Sequence, residues 1–172
     1  NNNGTQDIYI NMGGALEGDQ YQNLLFENPI KSNNWITLKL EGTQSNRSAI
    51  GARVTLSLTE RDGENGAKST RTIHRRIGSG GSFGASPLRA EIGLGKTAVI
   101  DTLEIFWPAS GITQQFTDVE ANAFYRISED SNVLKKVALP SYNFDKSTIR
   151  KHEHQTASAA TNRTTTDHNT NQ

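Results

Sequence analysis

Between residues 34 and 129 the chain alternates apolar and polar positions with the two-residue period of strands. "NWITLKLEG" places Ile36, Leu38 and Leu40 on one face of an extended segment and Trp35, Thr37, Lys39 and Glu41 on the other, the spacing of a half-buried strand. "AIGARVTLSLTE" repeats the pattern, with Ile50, Ala52, Val54, Leu56 and Leu58 facing one way. "RDGENGAK" then supplies an Asp-Gly and an Asn-Gly, both hairpin signals. "KSTRTIHRRIGSG" returns as a polar, basic strand suited to a sheet edge or a wet face. "PLRAEIGLG" is followed by "VIDTLEIFWP", whose apolar positions Ile100, Leu103, Ile105 and Trp107 slip register once before Pro108 ends the strand. "GITQQFTDV" and "AFYRISE" complete the series. The pattern predicts an all-β fold, an antiparallel β-sandwich or open barrel of about eight short strands.

The flanks read differently. Residues 1–33 are rich in Gly and Asn and hold two short apolar runs, "DIYIN" and "NLLFEN". Residues 34–139 form the domain. Residues 140–172 turn almost purely polar after Tyr142 and Phe144, too poor in apolar surface to offset the entropy of ordering, so a low-complexity, disordered tail is expected there. One short helical turn is conceivable near Lys146–His152. A hydrophobic content of 33% and a mean hydropathy of −0.64 agree with a compact core carrying polar ends.

Charge and cysteine usage remove several function classes. Lys+Arg and Asp+Glu are both 18, so no global field draws the chain to phosphate backbones. With no cysteine there are no disulfides, thiolate zinc sites or Cys nucleophile. No apolar stretch approaches the roughly 20 residues that cross a bilayer. The sequence opens at "NNNGTQDIYI" without Met, which reads as a fragment or a maturation product.

Catalytic chemistry finds little footing. "GLGKT" (93–97) lacks the earlier glycine of a phosphate loop, Ala90 standing in its place, and a strand rather than a helix follows, so it reads as a tight turn. "GSGGSFGAS" (78–86) has Phe83 where a dinucleotide fingerprint needs its third glycine, and reads as a bulged or close-packed segment. His74 lies in the basic strand, while His152, His154 and His168 lie in the polar tail. The "HEH" of that tail has i, i+2 spacing rather than that of a helical zinc site. No G-x-S-x-G or similar signature joins Ser, His and Asp. Asp101 is the acid of most interest because it starts a strand beside Ile100; the plainer reading makes it a turn acceptor or a partner for an arginine such as Arg89.

Two loops carry more information. "NNNGTQD" fits the second half of a calcium loop, with Asn1 and Asn3 supplying side-chain oxygens, Gly4 the sharp turn and Asp7 the last carboxylate; an ordinary Asn-Gly turn before a strand fits as well. The opening Asp of such a loop is missing, so any calcium site here is incomplete. "GTQSNRSAIGARVTL" sets Asn46, Arg47 and Ser48 side by side ahead of a strand. Asn46 and Ser48 suit local backbone hydrogen bonds, and Arg47 suits an acid such as Asp101 or nearby carbonyls. This corner reads as a structural lock between strands, or else as a surface that recognises sugar or protein. Asn46-Arg47-Ser48, Asn3-Gly4-Thr5 and Asn162-Arg163-Thr164 are also glycosylation sequons.

Together, "NNWITLKLEGTQSNRSAIGARVTL" and "RRIGSGGSFGASPLRAEIGLGKTAVIDTLEIFWPASG" resemble the ASPIC/UnbV domain over residues 33–129. "WPASG", with one residue more before its glycine, and the insert-like "ERDGENGAKS" depart from the family pattern. The resemblance implies a domain that follows FG-GAP-type repeats forming a β-propeller with calcium loops. "NNNGTQDIYINMGG" then looks like the end of the last repeat and "NLLFENP" like the bridge into the domain. Relatives include the cartilage acidic proteins, secreted into the matrix, and exported bacterial proteins, so a secreted, periplasmic or cell-surface location is implied. The family brings no catalytic residues; some bacterial members are labelled RNA-binding by name, which the neutral charge does not support.

The expected role is a non-catalytic interaction or scaffolding module that binds a protein partner or neighbouring subunit, a β-propeller first among them. The alternative is a carbohydrate-binding module stacking sugars on exposed aromatics, with Trp35, Phe83, Trp107 and Tyr125 as candidates. Sugar stacking requires two such rings exposed and coplanar; a structural role buries them.

Overall fold

A computed structural model of the chain describes residues 2–142 apart from 15–17, 19–20, 31, 63–66 and 82–83. The polar tail, its histidines and the helical turn considered near Lys146–His152 lie outside the described residues. Ten strands and no helix are found among them: β1 (Ile8–Ile10), β2 (Leu24–Phe26), β3 (Asn34–Glu41), β4 (Arg53–Asp62), β5 (Ala67–Arg76), β6 (Ala90–Gly95), β7 (Val99–Phe106), β8 (Thr113–Glu120), β9 (Ala123–Ser128) and β10 (Lys135–Val137). β1 and β2 form a separate two-stranded hairpin. The other eight form two four-stranded sheets, ordered β10-β9-β3-β6 and β5-β4-β7-β8. Neither sheet closes into a barrel.

The inward positions of both sheets meet in one core. Ile36 and Leu38 of β3, Val54, Leu56 and Leu58 of β4, Leu94 of β6, Leu103 and Ile105 of β7 and Ile127 of β9 are fully buried, so the two-residue alternation is realised as burial. Ile50 is the exception. It is 43% exposed because β4 begins only at Arg53 and Ile50 belongs to the preceding loop. The basic strand β5 occupies a sheet edge, as its polar sequence requires, and pairs with β4 along its whole length.

Two features depart from a simple antiparallel sandwich. β3 pairs β9 in parallel, from Ile36↔Ala123 to Glu41↔Ser128, so the first sheet is mixed. Parallel neighbours need a long crossover, and here the chain visits the second sheet and returns between them. The slip in β7 also has a visible cause. Ile100 and Leu103 both face the core, as do Phe116 and Val119 on β8 opposite, and between the latter Asp118 has a φ of 52°. The left-handed residue marks where the alternation breaks on both strands.

Leu56 sits on β4, the strand flanked by both β5 and β7, and has no exposure. Leu56→Ala is expected to lower stability by about 2–5 kcal/mol, while Ser57→Ala on the outer face shifts it by about 0.5 kcal/mol or less. Urea denaturation of the two variants checks this; equal effects would contradict the assignment of faces.

Candidate interaction site

The Asn46 corner is built by backbone geometry. The Asn46 carboxamide reaches across its own turn: Oδ1 accepts from the Ile50 amide and Nδ2 donates to the Ile50 carbonyl, each at 2.8 Å. The Ala49 amide closes the turn on the Asn46 carbonyl at 2.8 Å, with Ala49 at a φ of 56°. Gly42 lies so close to this turn that a Cβ there would stand 2.3 Å from the Asn46 carbonyl oxygen. Asn46 therefore holds the loop. A glycan on its nitrogen would break the bond to Ile50.

Arg47 and Ser48 do not join it. Arg47 is exposed, and neither side chain makes a hydrogen bond or ion pair among the described residues. Asp101 is exposed near the start of β7, at the opposite end of that strand from the loop, because Arg53 next to the loop pairs with Phe106. Arg89 bonds Glu91 at 2.6 Å instead. The expected Arg47–Asp101 and Arg89–Asp101 pairings are thus corrected: strand register keeps Asp101 away from the loop, and Arg89 has a nearer acid.

A buried acid does the work expected of Arg47. Glu129, just past β9, is 2% exposed. Its Oε2 accepts from the backbone amides of Thr43, Gln44 and Ser45 at 2.8, 2.8 and 2.7 Å. Its Oε1 accepts from the hydroxyls of Ser45 and Ser110 at 2.7 and 2.6 Å. Successive amides converging on one carboxylate form an anion nest. Beside it, the buried Gln114 of β8 accepts from Trp107 Nε1 at 2.7 Å and donates to the carbonyls of Ser128 and Ser131, each at 2.9 Å. Ser110 and Gln114 belong to the second sheet and its turns, Glu129 and Ser128 to the first, so this cluster pins the two sheets together at one end.

Sequence reasoning missed Glu129, although a signal exists. It continues the inward series Ala123, Tyr125, Ile127, and an acid in that register must be either wrong or fully paired.

Burial alone would push the Glu129 carboxyl upward. The bonds from the Ser110 hydroxyl, the Ser45 amide and hydroxyl and the Thr43 amide outweigh that and lower it from 4.5 to about 2. The folded protein thus keeps this carboxylate ionised down to about pH 2, whereas the unfolded chain takes up the proton near 4.5. In between, the unfolded state binds more protons, so Glu129 contributes stability above pH 4.5 that is lost as pH falls toward 2. Glu129→Gln removes the charge and, with its oxygen kept on the three amides, sets its NH2 against the Ser45 and Ser110 hydroxyls, which must then accept rather than donate; it is expected to cost about 1–3 kcal/mol at pH 7. Denaturation as a function of pH should show the gap between wild type and variant closing below pH 4.5; a constant gap would contradict the nest.

The aromatics divide by location. Trp107 and Tyr125 are buried, so neither can stack on a sugar. Trp107 spends its indole N–H on Gln114, and the Tyr125 hydroxyl donates to the Glu120 carbonyl at 3.1 Å. Phe83 lies outside the described residues. Trp35 is half-buried against Gly4, where a Cβ would stand 2.0 Å from its Nε1. The paired stacking platform expected of these four is therefore not formed by the described rings.

Trp35 and Gly4 belong to a second feature, where the N-terminal segment meets the outer face of the first sheet. A cleft of about 520 Å³ runs between them, lined among others by Asn2, Gly4, Trp35, Arg89, Glu91 and Leu139. The segment is tied down by bonds from Gln6 to Glu91, from Asn2 to the Pro140 carbonyl, and from Lys96 to the Ser32 carbonyl. Thr37, on the outer face, is only 7% exposed beneath it. Asn1 lies outside the described residues. Asn3 Oδ1 accepts from the Thr5 amide and hydroxyl at 2.9 and 2.6 Å, and Asp7 Oδ1 from the Asn28 amide at 3.0 Å. Both lone pairs of the Asn3 oxygen are so used, and a cation would have to displace these bonds. The described residues do not fit a calcium cage in this arrangement.

From this base the hairpin β1–β2 extends with every residue exposed. Ile8↔Phe26, Tyr9↔Leu25 and Ile10↔Leu24 pair across it, and Ile8, Tyr9 and Phe26 are 61%, 63% and 52% exposed. Apolar side chains thus stand on both of its faces, and among the described residues neither of its strands has a second neighbour.

The model of one protein family, ASPIC and UnbV, matches residues 42–133, just over half of the chain. No curated protein and no solved structure matches. The chain belongs to the ASPIC and UnbV family, one of β-rich, non-enzymatic domains.

Proposed function

We propose that the chain is a non-catalytic interaction module of an exported protein, and that the β1–β2 hairpin is the element by which it joins a neighbouring β-propeller. The observation that carries this reading is the exposure of apolar residues on both faces of a hairpin with two open edges. An isolated two-stranded hairpin is marginal in water, and open strand edges invite pairing with another chain or segment. Further strands added to either edge would complete a sheet, and packing of that sheet between neighbouring blades would cover Ile8, Tyr9, Leu25 and Phe26 on its two faces. The family resemblance supplies the partner class, because a propeller blade is a small sheet of this kind. The anchored base, with Gly4 against Trp35 and Gln6 on Glu91, fixes the hairpin to the sandwich, so docking there would set the orientation of the whole domain. A secreted, periplasmic or cell-surface location follows from the same resemblance.

Native mass spectrometry of the protein from its own source tests this. Wild type is expected to carry a propeller, as a separate chain or as part of the same polypeptide. Ile8→Ser with Phe26→Ser is expected to release a separate chain or, in a single polypeptide, to leave the propeller–domain junction open to protease. The unfolding midpoint of the sandwich should stay unchanged, since neither residue contributes to its core. No propeller in the wild-type assembly, or a double variant that behaves as wild type, would overturn the reading.

A further inference from the structure

The outer face of the second sheet carries an arrangement that neither the core nor the hairpin requires. Arg53 on β4 and Arg76 on β5 are directly paired across the ladder, and Phe106 on β7 is the opposite neighbour of Arg53. One row further along stand His74, Thr55 and Glu104. These residues line a groove of about 600 Å³. The Arg53 guanidinium lies 4.6 Å from the centre of the Phe106 ring, and Thr55 Oγ1 lies 3.2 Å from His74 Nδ1. Like charges directly opposite one another destabilise a sheet. Neither Arg53 nor Arg76 has a carboxylate within ion-pair distance among the described residues, although other arginines of the chain do.

Beyond the arginines the same face is rich in hydroxyls, with Glu104 lining the groove and Lys68 at the far end of β5. Ser57 pairs Thr72 and Thr102, Thr102 pairs Thr117, and Gln115 stands opposite Glu104. We propose that this face binds an acidic glycan, with Arg53 and Arg76 holding a uronate or sulfate oxyanion and the Ser/Thr/Gln rows taking the sugar hydroxyls. Arg53 and Arg76 stand opposite each other on strands whose backbones run about 5 Å apart, and both line the groove, so two long guanidinium side chains can reach one planar or tetrahedral oxyanion held in it. Phe106 fixes the Arg53 fork so that less freedom is lost on binding. A nucleic-acid backbone would need a continuous basic stripe, and here Glu104 and rows of hydroxyls separate the arginines of the groove from Lys68. This site is separate from the aromatic residues considered above and from the hairpin.

Backbone amide NMR shifts of the full chain, titrated with a sulfated or uronate-bearing oligosaccharide and with its neutral counterpart of equal length, test the proposal. The acidic sugar should move Arg53, Thr55, His74, Arg76 and Glu104, and the neutral one should not. Arg76→Ala, which breaks no hydrogen bond or ion pair among the described residues, should weaken binding by about tenfold or more. Arg76→Lys should recover only part of it, and Glu104→Gln should tighten it. Thermal unfolding of each variant confirms that the fold is kept. Equal shifts with the neutral sugar, no shifts with the acidic one, or tighter binding of a single-stranded oligonucleotide of equal charge would each overturn it.

Discussion

The Glu129 carboxylate and the donors gathered around it are the constraint on which the rest of the domain depends. A buried charge is tolerable only when its acceptor capacity is filled, and here three amides and two hydroxyls fill it. The donors come from the loop after β3 and from the turn between β7 and β8, while the acid follows β9. One side chain therefore decides where a surface loop and one end of both sheets meet. Gln114 extends the same logic by satisfying Trp107 and the carbonyls beyond β9 together.

Seen from that corner, the residues that carry the family resemblance serve structure. Ser45 and Asn46 shape the loop, Trp107 fills the core with its N–H satisfied, and Ser110 reaches the nest. A rigid sandwich suits a module that presents surfaces. The exposed apolar residues of the hairpin and the unpaired arginines of the second sheet lie at separate places on it, so the two proposed contacts do not compete for the same groups.

Most of the sandwich was legible in the sequence, because burial of one face imposes a period of two and because Pro108 and the glycine-bearing turns end strands where they stand. Nothing local announced the parallel β3–β9 pair. Sheet order depends on which strands meet after a long excursion, and that is a tertiary outcome. The short strand β10, "KKV", carries too little alternation to stand out. The Asn46 turn was readable because Asn bonds its own backbone locally. Arg47 and Asp101 do not meet because the reach of a long side chain says nothing about register, which sets Asp101 at the far end of β7. Glu129 was hidden for a related reason: its donors lie 84 or more residues earlier, on the Thr43–Ser45 amides, and at Ser110. Aromatic type alone points to Trp107 and Tyr125 as sugar platforms, yet for both the inward register outranks residue type.

Native-state amide hydrogen exchange tests the central claim most directly, since it reads the local stability of each bonded amide. The account predicts that the Thr43, Gln44 and Ser45 amides exchange only with global unfolding, as the Leu56 amide does, although Thr43 and Gln44 lie in an exposed loop. The β1–β2 amides should exchange through local opening at far lower free energy. Loop amides that exchange as readily as those of the hairpin would contradict the account, because the Glu129 nest would then not be holding the sandwich together.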